Sequence, residues 1–298
     1  MPEPDSVIAV NRLTRRFGPK LALDEVSLRV PRGAVFGLVG ANGAGKTTLI
    51  KHLLGLLKPQ EGEVRVFDQD PVADPVGVLS RVGYLSEDND LPGWMRVEEL
   101  MRYTEAYFPG WDREYAEQLR RDFGLDPQTK VKHLSRGQRS RAGLVVALAY
   151  RPDLLVLDEP SSGLDPIVRR DILGAVIKTV AQEGRTVLFS SHLLDEVERV
   201  SDHVALLVRG RMVYAGPLDD LKAGHHRLTV QFEGFRPKPP TLTGALAWEG
   251  EGREWTALCQ GRLGELQAAA EAAGGRVVDR GVPSLDEIFV ARARGNAS

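Results

Sequence analysis

The chain has 298 residues, 42% of them apolar and 27% charged, with a formal net charge of −2. That length supplies one large core with room for a small second domain, and the balance excludes a disordered chain. A charge so close to zero gives no global pull toward nucleic acid, and the single cysteine, Cys259, excludes an intrachain disulfide and fits a reducing compartment.

Residues 1–10 include Pro2, Glu3, Pro4 and Asp5 in place of the charged-then-apolar pattern of a leader. No apolar stretch approaches the roughly 20 residues of a membrane helix. The expectation is a cytoplasmic protein that meets a membrane only through a partner. Residues 8–13 and 28–30 alternate and predict an antiparallel layer. The runs 35–39, 154–157, 187–189 and 204–208 are apolar at consecutive positions, which predicts strands buried on both faces of a parallel sheet in an α/β fold. Between them, 97–108, 112–123 and 138–150 have helical spacing, broken at Pro109-Gly110 and Asp126-Pro127. They predict a helical subdomain, about 88–150, inserted into a main domain of residues 1–223.

A composition shift follows Gly224. Pro237, Pro239 and Pro240 mark a loop flanked by alternating runs at 228–232 and 255–258. An alanine-rich helix at 263–273, a strand at 276–279 and a capped helix from Ser284 complete a predicted small α+β domain, 224–298.

Gly40-Ala41-Asn42-Gly43-Ala44-Gly45-Lys46-Thr47 fits G-x-x-x-x-G-K-[ST] at every fixed position, after a predicted strand and before a helical run from Thr48. Backbone N–H groups of such a loop wrap a β-phosphate, and the helix N-terminus adds a favourable dipole. Gly40, Asn42, Gly43, Ala44, Gly45, Lys46, Thr47 and Thr48 are therefore the candidate nucleotide cradle. Lys46 is assigned to the β- and γ-phosphates and the Thr47 hydroxyl to Mg²⁺. The competing reading, a glycine-rich turn, leaves Lys46, Thr47 and the strand before them as coincidence. Asp158 ends an apolar strand where it can orient Mg²⁺, and Glu159 beside it suits polarisation of the attacking water. An isolated Asp-Glu there would more often begin a solvated loop. Leu134-Ser135-Arg136-Gly137-Gln138 opens a helix; Ser135 is at least an N-cap, and a capped N-terminus is itself an anion site.

The phosphate loop, the Ser135 segment and the acidic strand end, in that order, resemble the ATP-binding-cassette (ABC) ATPases. The resemblance covers residues 8 to about 216 and implies a P-loop ABC-type nucleotide-binding domain using ATP and Mg²⁺. In that family the LSGGQ-like segment reaches ATP held by a partner cassette, which gives Ser135, Gly137 and Gln138 to the other subunit's nucleotide; Arg136 replaces the usual glycine. Ser161-Ser162-Gly163-Leu164-Asp165-Pro166 resembles the D-loop of the dimer seam, and Ser190-Ser191-His192 resembles the switch histidine that holds the γ-phosphate. Phe17 matches the aromatic that stacks on adenine, with a core phenylalanine as the competing reading. The segment 82–87 aligns with one that commonly ends in glutamine and contacts Mg²⁺ and the attacking water; Glu87 keeps an oxygen ligand and adds negative charge. Pro283-Ser284-Leu285-Asp286-Glu287-Ile288-Phe289 resembles the ending of cassettes that serve separate exporter permeases. Phe108-Pro109-Gly110-Trp111-Asp112, with the arginine variant of the signature, is similar to the YtrB-like exporter group.

The resemblance implies a composite site, hence a second ABC subunit: a homodimer is favoured, a heterodimer is compatible. It also implies a separate integral-membrane permease and no nucleic acid. Leu91, Trp94 and Met95 form a candidate groove for a permease helix, or else pack internally. The alternative function is a soluble ABC ATPase acting on a non-membrane partner such as ribosome or DNA. Ribosome-associated members resemble two cassettes in one chain where this chain has one, and DNA-acting members carry long coiled coils or zinc cysteines, of which this chain has neither. Import in place of export stays open.

Overall fold

The computed structural model describes residues 5–295 apart from 89, 163, 166, 171 and 175–183. The described residues divide into two compact units, Met1–Leu193 with Val200–Ala215, and Leu194–Arg199 with Gly216–Ser298.

In the first unit, β1 (Ser6–Phe17) pairs antiparallel with β2 (Lys20–Pro31) and with β4 (Glu61–Val66), giving the order β2-β1-β4. A second sheet has the order β5-β6-β7-β3-β8-β9, from β3 (Val35–Val39), β5 (Val82–Leu85), β6 (Leu154–Leu157), β7 (Thr186–Ser191), β8 (His203–Val208) and β9 (Arg211–Pro217). Strands β5 to β8 and β3 pair in parallel along that order. Every residue of β3, β6 and β7 is buried, because a parallel sheet is covered on both faces. Helix α1 (Lys46–Leu53) fills the space between the two sheets: Leu49, Ile50 and Leu53 share one core with Ile8, Leu13 and Leu23 of the antiparallel layer and Phe36 and Leu38 of β3.

After α2 (Pro75–Leu79), the helical region comprises α3 (Val97–Glu105), α4 (Arg113–Asp122) and α5 (Arg136–Leu148), with α5 packed against α3, α4 and β5. The predicted helices ran a few residues further at 108 and 150. Those two positions instead hold a ring stack, Phe108 on Tyr150 at 3.8 Å between centroids, and the Tyr150 hydroxyl donates to the Val82 carbonyl at 2.7 Å. The apolar trio of the 88–95 stretch is split: Met95 is buried, Leu91 half-buried, and Trp94 is 69% exposed.

The second unit is built on β10 (His225–Arg236), β11 (Ala245–Gln260) and β12 (Gly275–Gly281), antiparallel in the order β11-β10-β12. Alternate residues Leu228, Val230 and Phe232 of β10 and Trp255, Ala257 and Cys259 of β11 pack against Leu266 and Ala270 of the helix Leu263–Ala272. Burial there pushes the Cys259 thiol up to about 11. A last helix, Leu285–Gly295, opens on a reciprocal cap: the Glu287 N–H donates to Ser284 Oγ at 3.2 Å and the Ser284 N–H to Glu287 Oε2 at 2.7 Å. Glu198 accepts from the Leu285 N–H at 2.9 Å and pairs with Lys222.

Candidate functional site: a phosphate loop and its acidic strand end

Parallel strands present their C-terminal ends on one edge of the sheet, and the candidate residues follow these ends: Gly40–Thr47 after β3, Asp158 and Glu159 after β6, His192 after β7, Glu87 after β5. The loop after β3 is tight. A Cβ on Gly40 would lie 2.6 Å from the Leu207 carbonyl oxygen, and Gly45 has φ +114 with its Cβ position 2.6 Å from the Ala22 carbonyl oxygen. Only glycine meets both demands at position 45. Gly45 is the N-cap of α1 and offers no side chain to its N–H groups, which leaves them for a ligand.

Lys46 is 6% exposed and its ammonium is fully engaged. It donates to the Gly40 carbonyl at 2.6 Å and to the Ala41 carbonyl at 3.4 Å, and pairs with Glu159 Oε1 at 2.9 Å. The other carboxylate oxygen, Glu159 Oε2, lies 2.7 Å from His192 Nδ1. Lysine, glutamate and histidine thus form a continuous chain at the mouth of the loop. Ser190 fixes the acidic pair from behind: its hydroxyl donates to Asp158 Oδ1 at 2.6 Å and accepts from the Glu159 N–H at 2.8 Å. Asp158 is 1% exposed, and its N–H donates to the Leu85 carbonyl at 2.8 Å. Burying charges is costly unless they are paired, and here each has a partner. Glu159 also sits at φ +48, a backbone conformation uncommon away from glycine. Tyr84, near Asp158, has its phenol pushed up to about 12 by burial and then by the Asp158 and Asp88 carboxylates.

A hollow of about 250 Å³ opens in front of this chain, lined by Asn42, Gly43, Gly45, Lys46, Thr47, Thr48, Glu87, Glu159 and Phe17. Phe17 is 44% exposed with the Arg15 guanidinium 4.7 Å from its ring centroid, so it does not pack in the antiparallel core. Lys20 and Ala22 of β2 also line the hollow and carry no sequence signal. Ser190 was readable only as part of a motif, because its partners are remote in sequence.

Ser135, Gly137 and Gln138 are not in this hollow. They cap α5 reciprocally, with the Gln138 N–H donating to Ser135 Oγ at 3.2 Å and the Ser135 N–H to Gln138 Oε1 at 2.9 Å. Gly137 is buried against Val168, whose Cγ2 would lie 2.9 Å from an added Cβ. Arg136 lines an adjoining hollow of about 390 Å³ together with Arg139 and Asp88, and Glu87 and Glu159 line both hollows. Of the D-loop stretch, Gly163 and Pro166 lie outside the described residues; the Val168 N–H, then the Ile167 N–H, holds the Asp165 carboxyl below its usual range.

A glycine phosphate loop feeding a helix, an acidic end on β6, one strand removed from β3 in the same parallel sheet, and a serine-capped signature helix define an ATP-binding cassette, and the chain belongs to the ABC transporter family, whose model matches residues 23–162. It is 34% identical to the daunorubicin resistance ATP-binding protein DrrA3 of Streptomyces coeruleorubidus, over 96% of this chain and 95% of that one. It is 32% identical to the bacitracin transport ATP-binding protein BcrA of Bacillus licheniformis, over 76% and 75%. It is 35% identical to the probable multidrug ABC transporter ATP-binding protein YbhF of Escherichia coli, where 74% of this chain spans only 38% of the relative's length. Among solved structures, one described as the ATP binding subunit of an ABC transporter matches at 30% identity and a TM-score of 0.67, over 73% of this chain and 92% of that one.

Proposed function

We propose that the chain is the ATP-hydrolysing subunit of an ABC exporter, working as a homodimer on the cytoplasmic face of a separate membrane permease. In this reading residues 1–223 form the cassette, with a helical insertion at about 88–150, and 224–298 form an accessory domain. One observation carries it: Lys46, Glu159 and His192 are linked at the phosphate loop, while the signature residues Ser135, Gly137 and Gln138 lie outside that hollow. A site whose γ-phosphate contacts are divided in this way is completed by a second copy. The names of relatives linked to bacitracin transport and to daunorubicin resistance support export.

The loop N–H groups and Lys46 bind the phosphates, and Phe17 stacks on the adenine. Thr47, Glu87 and Asp158 offer hydroxyl and carboxylate oxygens that suit Mg²⁺. When bound, Mg²⁺ neutralises charge on the phosphoryl oxygens. As Lys46 turns to the γ-phosphate it releases Glu159 Oε1. Glu159 then accepts a proton from the attacking water, whose oxygen bonds to the γ-phosphorus as the bond to the ADP oxygen breaks. His192 holds the γ-phosphate, and its loss removes what both subunits share.

Glu159→Gln should bind ATP, lose about 10²–10⁴-fold in turnover, and double in mass by light scattering when Mg-ATP is added. Turnover at the wild-type rate would remove Glu159 as the base; a monomer that persists would demand a different cassette as partner. Trp94, the exposed member of the trio, is the proposed permease contact. Trp94→Ala should leave stability within about 0.5 kcal/mol yet lose co-purification with the membrane partner; retained co-purification would place the contact elsewhere.

A further inference from the structure

We propose that the second unit carries a binding site for an amphipathic organic cation, on the sheet face opposite its core. Side chains alternate across a strand. With Leu228, Val230, Trp255 and Ala257 committed to the core, Thr229 of β10 and Glu254, Thr256 and Leu258 of β11 face the other way. Between that face and the helix Leu285–Gly295 lies a hollow of about 520 Å³, twice the size of the one at the phosphate loop. It falls within the roughly 300–1,000 Å³ of small-molecule pockets.

The lining names the ligand's chemistry. Trp248, packed edge-to-face on core Trp255 with 6.4 Å between ring centroids, also reaches the lining, and Leu258 and Val290 supply apolar surface. The Thr229 and Thr256 hydroxyls bond to each other at 3.0 Å, which uses one of their two donor hydrogens and leaves the floor weakly polar. Around these stand five carboxylates, Glu249, Glu254, Asp279, Asp286 and Glu287, and one cation, Arg227, which is 3.4 Å from Glu287. Five negative charges and one positive leave −4 in a hollow of a chain whose total is −2. Among the described residues these carboxylates do not group as ligands of a metal ion. They form a field that attracts a large cation without inner-sphere ligation, and the indole adds cation–π attraction to the same charge.

The test uses the full chain without nucleotide and tetraphenylphosphonium as probe, followed by tryptophan fluorescence and calorimetry. Saturable binding of one probe per chain is expected, weakened about tenfold by Glu249→Gln/Glu254→Gln and abolished by Thr256→Trp, which fills the hollow. If the double variant does not fold, Asp279→Asn replaces it and must also weaken binding. Absence of saturable binding at millimolar probe overturns the proposal, as does equal affinity for neutral triphenylphosphine oxide. Displacement of the probe by a lysine-rich peptide that binds more tightly also overturns it, and assigns the hollow to a protein segment.

Discussion

In the first unit Asp158 and Glu159 are 1% and 6% exposed, and Lys46, His192 and Ser190 take up their oxygens at 2.6 to 2.9 Å. In the second, Glu249, Glu254 and Asp279 are exposed around an open hollow, and Glu287 meets Arg227 at 3.4 Å with both side chains accessible. The same residue type does two kinds of work. Behind a parallel sheet edge a carboxylate is held by its neighbours and its removal propagates; over an antiparallel face it contributes a field that water and salt screen.

The largest effect that separates the two cases is at Lys46. Lys46→Met strands Glu159 in the interior and should cost about 3–5 kcal/mol, read as the shift of the urea midpoint. Adding Glu159→Gln should recover part of the loss; a double variant no better than the single would mean that the buried charge is not what the lysine answers. Next is Ser190→Ala, which removes the hydroxyl that serves Asp158 Oδ1 and the Glu159 N–H. It should cost about 1–3 kcal/mol in the same measurement, and an unchanged midpoint would show that the serine is dispensable to the pair. Smallest is Arg227→Ala, where loss of an exposed ion pair should stay within about 1 kcal/mol. A larger loss would erase the contrast between the units.

Much of the first unit could be read from its residues, since strands buried on both faces announce themselves as unbroken apolar runs. The run at 35–39 coincides with β3 and that at 154–157 with β6, while 187–189 and 204–208 fall inside β7 and β8. Strand β4 escaped, since four of its six residues are exposed and only Val64 and Val66 mark a face. In the second unit β11 spans Ala245–Gln260, but only 255–258 stood out, because Gly250 and Gly252 interrupt the alternation. The candidate residues of the phosphate loop were legible because their spacing is local. What was not legible was pairing at a distance: that Lys46 meets Glu159, that Ser190 serves two backbone-adjacent groups, and that Arg136 and Glu87 share a hollow. Those depend on strand order, which no single segment encodes.

The buried Cys259 has a practical consequence. A thiol whose ionisation is pushed up to about 11 is almost wholly protonated at neutral pH, and only thiolate reacts with alkylating labels. The chain is therefore close to a cysteine-free background without any substitution. A cysteine introduced at exposed Ser135 would be its one fast-reacting position, so a spin label or fluorophore placed there would report on the signature helix alone.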